Sequence, residues 1–176
     1  MLRMSQGFAF CPMRYRLRPF DSEQEVPSKY NLYNARVEAI ETKKTWAPLL
    51  GSKHVAVPLK KFHEWVPTKS GKKVVQFKIT DKEIFWVAGL YDIWKDPTSN
   101  GQIVSFALIT QAPNAYIQNV GHDRSPIIIN DDDVGKWLSI NNSQQALTFL
   151  QAPRNYSFTH EWEDPLFTLT QQVKTR

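Results

Sequence analysis

A single cysteine, Cys11, in 176 residues leaves no partner for an internal disulfide, which excludes a small cross-linked secreted scaffold. Long apolar runs are missing too. Charged residues at 22% interrupt the hydrophobic 41% throughout, so no segment reads as a membrane span. No basic stretch followed by an apolar run opens the chain as a leader would, and a cytoplasmic protein is expected. Glycine is scarce at seven residues, and none builds a phosphate-cradling loop or a G-x-S-x-G elbow. His54, His63, His122 and His160 lack ligand spacing, and one thiol cannot make a thiolate site, so neither metal nor cofactor is expected. Internal repeats and low-complexity tracts are absent as well.

Aromatic residues, by contrast, are plentiful at 12%, with six Trp and ten Phe, too many for a disordered chain. The length suits one domain, residues 1–176, with one substantial core, and a monomer is expected. Charge is unevenly spread: Lys and Arg outnumber Asp and Glu by 15 to 6 over residues 1–78 and are outnumbered 7 to 11 over residues 79–176. The basic half either draws a polyanion such as nucleic acid or is a solvated lysine-rich surface.

The stretches "GFAF", "KHVAV", "FHEWV", "KKVVQFKI", "EIFWVAGLY" and "QIVSFALIT" read as short strands. "TKSGKK" and "ITDKE" read as hairpin turns, and the Asn-Gly of "TSNGQ" favours a primed turn, which makes residues 62–110 an antiparallel meander. Helical spacing appears in "ARVEAIETKKTW", "AYIQNV", "DDDVGKWLSI" and "SQQALTFLQA", with Asp131 and Ser143 as N-caps. The expected class is α+β, a curved, barrel-like, mainly antiparallel sheet flanked by three or four helices. The tail "FTHEWEDPLFTLTQQVKTR" adds a last strand.

Three segments carry candidate chemistry. "YNLYNARVEAIETKK" places Asn34 at a helix start and Arg36 in its first turn, where a cation opposes the helix dipole unless an anion repays it. The alternative pairs Arg36 with Glu38 or Glu41. In "VPLKKFHEWVP" a period of two puts Phe62 and Glu64 on one face and His63 and Trp65 on the other. Were the Glu64 face buried, that carboxylate would have a raised pKa and suit acid–base work; the sequence leaves both faces open. "VGHDRSPIIIN" sets His122 and Arg124 in a loop before an apolar strand, as a proton shuttle and an anion fork or as incidental loop residues. Cys11, next to Arg14 and Arg16 in "FCPMRYRLRP", reads as a buried, inert thiol rather than an activated one.

Taken in order, "NARVEA", "VPLKKFHEW", "FWVAGLYDIW", "ALITQAPN" and "GHDRSPIII" resemble the SRAP family, the SOS-response-associated peptidases or abasic-site-processing proteins, across roughly residues 6–138. The resemblance implies a curved sheet with a basic groove for single-stranded, abasic-site DNA. It implies that Asn34 contacts the opened sugar, that Arg36 and Arg124 hold phosphates, and that Glu64 and His122 move protons in ring opening and self-processing. Lys44 matches a position that faces DNA, and Arg14, Tyr15 and Arg16 match an aromatic and basic wall where a base stacks on Tyr15. The family's thiazolidine crosslink starts from a cysteine after the initiator methionine. Leu2 stands there, and the family's Met-Cys-Gly-Arg opening is missing. The expectation is therefore DNA recognition with the covalent and self-processing peptidase steps left open. Two other classes compete: an amine-based abasic-site lyase working through the Met1 α-amine, and a protein-binding or regulatory module. A peptidase acting on other proteins has no independent nucleophile to support it.

Overall fold

The computed structural model describes residues 1–163. In chain order its strands begin with β1 (Leu2–Met4), β2 (Gly7–Ala9), β3 (Arg14–Tyr15), β4 (Asn34–Arg36), β5 (His54–Leu59) and β6 (Phe62–Thr68). They continue with β7 (Gly71–Ile79), β8 (Phe85–Lys95), β9 (Gln102–Gln111), β10 (Ser125–Pro126), β11 (Ile128–Ile129) and β12 (Phe158–Glu163). Three α-helices, α1 (Ala115–Val120), α2 (Val134–Ser139) and α3 (Ser143–Gln151), complete the described α+β chain. It divides into two compact units: Met1–Pro58, Trp86–Gln111 and Pro126–Pro153 form the first, and Leu59–Phe85, Ala112–Ser125 and the described residues 154–163 form the second.

The first unit is organised by the long β8–β9 hairpin, paired antiparallel from Gly89↔Leu108 to Lys95↔Gln102. β5 and β11 pair with β8. On the far edge of β9, β3 and β4 add in parallel, one after the other, with Tyr15 opposite Phe106 and Asn34 opposite Leu108. Phe106 and Leu108 are two residues apart and so share a face, which brings Tyr15 and Asn34 together along one edge. The core of this unit joins Leu17, Ile40, Leu90, Ile109, Ile127 and Trp137 with the apolar side of α3.

The second unit holds the antiparallel sheet β12-β7-β6. A two-residue loop closes β6–β7, Thr68 pairing with Gly71, whose φ of +110° only glycine adopts without strain. Phe62 stacks on Phe77 at 5.2 Å and meets Phe85 and Phe158 edge-on, so the aromatic residues themselves supply this small core.

Several sequence expectations are corrected. Residues 35–46 form no α-helix: Asn34–Arg36 is a strand, followed by a single-turn 3-10 helix at Val37–Ala39 and then successive turns. Hydrogen bonding to β9 overrides the helical spacing there. The meander over 62–110 is two hairpins in different sheets, because β7 pairs with β6 and β12, and β8 with β9. "ITDKE" is accordingly a turn but not a hairpin. The Asn-Gly pair sits in a longer loop, residues 96–101, where the Asp96 carboxylate accepts from the Thr98 N–H and from the hydroxyls of Thr98 and Ser99. The cap of α3 is Asn142, accepting from the Gln145 N–H, rather than Ser143, and α2 follows a 3-10 turn over Asp131–Asp133. "FTHEWE" is strand β12; the remainder of the expected tail lies outside the described residues. No helix among the described residues is long and apolar enough to cross a membrane.

One buried histidine ties β5 to α2. His54, only 4% exposed, stacks on Trp137 at 4.0 Å, accepts at Nε2 from the Gly51 N–H and faces the Trp137 carbonyl with Nδ1. Those partners fix the neutral Nδ1–H tautomer, and burial above all pushes its pKa down to about 4. The unfolded chain takes a proton near 6.5 that the folded chain refuses, so stability falls as pH drops from 6.5 towards 4. This group contributes up to about 3 kcal/mol of that loss. Chemical denaturation across this range should show the slope in the native chain and a shallower one in His54→Gln.

Candidate functional site

The aromatic packing of the second unit decides which face of β6 is buried. Phe62 and Val66 point inward and Glu64 lies between them on the same face, while His63 and Trp65 point to solvent, Trp65 being 57% exposed. Glu64 is thereby half-buried without a salt-bridging lysine on its own strand face.

His122 reaches Glu64 through the end of α1. Asn114 caps that helix by accepting from the Ile117 N–H at 3.0 Å, and Gly121 ends it in the left-handed conformation at φ +109°. A Cβ on Gly121 would lie 2.8 Å from Val66 Cγ1. The glycine thus lets the helix end press against β6, two residues from Glu64. The next residue, His122, lands with Nε2 3.0 Å from Glu64 Oε2.

The other ring nitrogen is held by the backbone of Arg124. Nδ1 lies 2.9 Å from the Arg124 carbonyl oxygen and 3.2 Å from its N–H. An imidazolium donates to Glu64 and to that carbonyl, whereas the neutral ring keeps its Nε2–H on Glu64 and accepts from the Arg124 N–H. Either protonation state is hydrogen-bonded with the ring in one place, a property that suits a group trading protons. The Glu64 hydrogen bond is the main cause that raises the His122 pKa above its ordinary value, against a smaller opposing effect of burial.

On the first unit, the β3 and β4 ladder sets a second cluster. Tyr15 donates its hydroxyl to Asn34 Oδ1 at 3.3 Å, stacks on Phe106 at 5.1 Å and meets Tyr33 edge-on at 5.1 Å. Tyr15 and Tyr33 remain 44% and 43% exposed, so rings and amide form an open shelf. Arg36, at the end of β4, is exposed, as is Lys44 in the turns that follow. With Arg36 on a strand end, the helix-dipole argument for an anion beside it no longer applies.

Arg14 and Arg16 have a partner that sequence reasoning missed. Arg14 makes a two-pronged pair with Glu25 at 2.9 and 3.1 Å, Arg16 reaches the same carboxylate at 2.8 Å and Arg18 approaches it at 3.5 Å. Arg18 also lies 3.3 Å over the Trp94 ring. The arginines hold Glu25 below its ordinary pKa, the Arg14 hydrogen bond most of all. Arg16 adopts φ +94°, a conformation that costs a non-glycine residue about 1–3 kcal/mol. Only the acidic residues of "DSEQE" next to the arginine run hinted at the pairing; the loop that folds Glu25 back is not legible from spacing.

Cys11 is exposed, not buried, with its thiol 3.5 Å from the Pro12 carbonyl. The expectation failed because β2 pairs only with β1 and is exposed along its whole length, so it carries no core residue into the following segment. Among the described residues no three His, Cys, Asp or Glu side chains gather as a metal site requires.

Replacing Glu64 by Gln removes the carboxylate from His122. The His122 pKa, read from its ring protons by NMR titration, should fall relative to the native chain. Because a raised pKa stabilises the fold below about 6.5 and the benefit fades as pH rises through the folded value, Glu64→Gln should lose more stability at pH 6 than at pH 9.

With this geometry in place, comparison with known proteins is informative. The family model "SOS response associated peptidase (SRAP)" matches residues 2–163. The abasic site processing protein YoqW of Bacillus subtilis (strain 168) is 31% identical over 115 residues, 65% of this chain and 50% of the relative. The abasic site processing protein HMCES of Xenopus tropicalis is 27% identical over 169 residues, covering 83% of this chain and 50% of that protein. The chain thus spans about half the length of these curated relatives. A crystal structure of a protein from Bacteroides thetaiotaomicron shares the fold, with a TM-score of 0.77 and 23% identity over 89% of this chain and 70% of that one. On the match across 2–163, the chain belongs to the SRAP family.

Proposed function

We propose that this chain recognises abasic sites in single-stranded DNA, and the observation that carries the reading is the half-buried Glu64–His122 hydrogen bond. An abasic deoxyribose exposes its aldehyde only after the anomeric hydroxyl loses a proton and the ring oxygen gains one. A ring that can both give and take a proton, with both states partnered, assists both transfers. His122 is assigned the proton exchange with the sugar, and Glu64 holds the ring and balances its charge.

Asn34 is assigned a contact to the opened sugar, its amide oriented by the Tyr15 hydroxyl. Tyr15 offers an aromatic surface on which a base can stack. Arg36, Arg124, Lys44, Arg14 and Arg16 are assigned to phosphates, which they bind without regard to sequence. The relatives named for abasic site processing support the reading, and the family match across both units supports a single functional domain over 1–176. A cytoplasmic monomer accompanies it. Recognition and ring opening in this scheme do not call on the family's terminal cysteine.

The test is binding of matched single-stranded oligonucleotides, with and without one abasic site, followed by fluorescence anisotropy at fixed salt. The abasic strand should bind several-fold tighter. Asn34→Ala should bring that preference close to parity, since one lost hydrogen bond is worth up to about ten-fold. Equal affinity for the two strands in the native chain would sink the reading.

A further inference from the structure

The first unit spends one carboxylate on three guanidinium groups. Arg14, Arg16 and Arg18 all converge on Glu25, within 2.8 to 3.5 Å. The side chains of Arg16 and Arg18 are only 12% and 11% exposed, so this local excess of positive charge is poorly screened by water. Arg14 Nε is buried and has no hydrogen-bond partner. Glu25 itself is 44% exposed. It is the most exposed member of the cluster, sitting on a fork geometry that fits a tetrahedral oxyanion as well as a carboxylate.

The surroundings keep Arg16 and Arg18 in place without Glu25, whereas the Arg14 side chain is held by Glu25. The Arg18 backbone N–H donates to Ser105 Oγ at 2.8 Å, the Phe20 N–H to Asp92 Oδ2 at 2.8 Å, and the Trp94 indole N–H to the Ser22 carbonyl at 2.7 Å. Arg16 donates to the carbonyls of Val26 and Pro27 at 2.5 and 3.1 Å, and Arg18 lies on Trp94. A rotamer change of Glu25 therefore empties the fork while the Arg16 and Arg18 walls stand and Arg14 is released to follow the incoming anion.

The geometry points to a phosphoryl-binding site formed by Arg14, Arg16 and Arg18 that Glu25 occupies as a built-in competitor, with a phosphate group of single-stranded DNA displacing it. This rests on the reading that the chain binds single-stranded DNA, and it adds Arg18 to the site and an internal carboxylate that sets its affinity. No bond is made or broken in the exchange: one anion leaves a cationic fork and another enters. The consequence is electrostatic. Removing the carboxylate frees the fork in advance, so binding should tighten and become more salt-dependent.

The experiment uses intact, undamaged single-stranded DNA, so that its outcome is separate from any preference for abasic sites. Glu25→Gln should bind such an oligonucleotide about three- to ten-fold tighter than the native chain. Its plot of log affinity against log salt should be steeper by about 0.7, the increment for one further phosphate contact on a single strand. The gain should vanish in Glu25→Gln combined with Arg14→Ala. Oligonucleotides with and without a 5′-phosphate, and inorganic phosphate alone, separate a backbone phosphate from a terminal or free one. A gain on all strands assigns the backbone, and one confined to phosphorylated ends or inorganic phosphate assigns the free group. Unchanged or weaker binding by a folded Glu25→Gln overturns the proposal. Should that variant fail to fold, the arginine Nε–H resonances of the native chain decide: shifts at Arg14, Arg16 and Arg18 on adding DNA or phosphate support it, and their absence overturns it.

Discussion

The free edge of β9 is the constraint on which the first unit depends. A strand already paired on one side with β8 offers a row of unsatisfied N–H and C=O groups on the other, and leaving them buried and unpaired is costly. Two short segments, far apart in sequence, satisfy them in succession, β3 opposite Ser105–Phe106 and β4 opposite Leu108–Thr110. Neither segment has the length or the alternation of an independent strand. Their conformation is lent to them by the ladder, and it is this ladder that seats Tyr15 beside Asn34 and turns Arg36 outward.

The same physics explains what was legible in the sequence. β5 to β9 carry their own signal, since each has a run of β-branched and aromatic residues and a clear burial pattern, and all five were anticipated. Asn34–Arg36 was read as a helix start because "ARVEAIETKKTW" has helical spacing; local periodicity knows nothing of a vacant edge on a strand seventy residues later. Glu64 was placed on the same face as Phe62, but which face is buried followed only from the packing of Phe77, Phe85 and Phe158. Glu25 was invisible for a different reason. A carboxylate returning over ten residues of irregular chain to meet three arginines leaves no periodic trace.

Charge is handled in opposite ways in the two units. At the Glu64–His122 pair of the second, one carboxylate holds the imidazole and the backbone of Arg124 completes the ring's partners, so a proton can come or go with little rearrangement. In the first, cations outnumber the anion they hold, and the cluster persists because carbonyls and the Trp94 face take up the remainder. His54 shows a third solution, a titratable ring kept neutral by burial and committed to joining β5 to α2.

The succession of β3 and β4 along one edge has a consequence for how this surface can change over time. Both ends of the segment between Tyr15 and Asn34 are pinned to neighbouring positions on β9, and within it Ser22, Glu25, Val26, Pro27 and Leu32 are anchored too. The exposed residues 28–31 can lengthen, shorten or be exchanged with little effect on the endpoints, because doubling a flexible loop adds only about 0.6 kcal/mol of closure entropy. The shelf of Tyr15 and Asn34 is thus insulated from its own loop, which is free to acquire a new tip chemistry while the residues at its base stay in register.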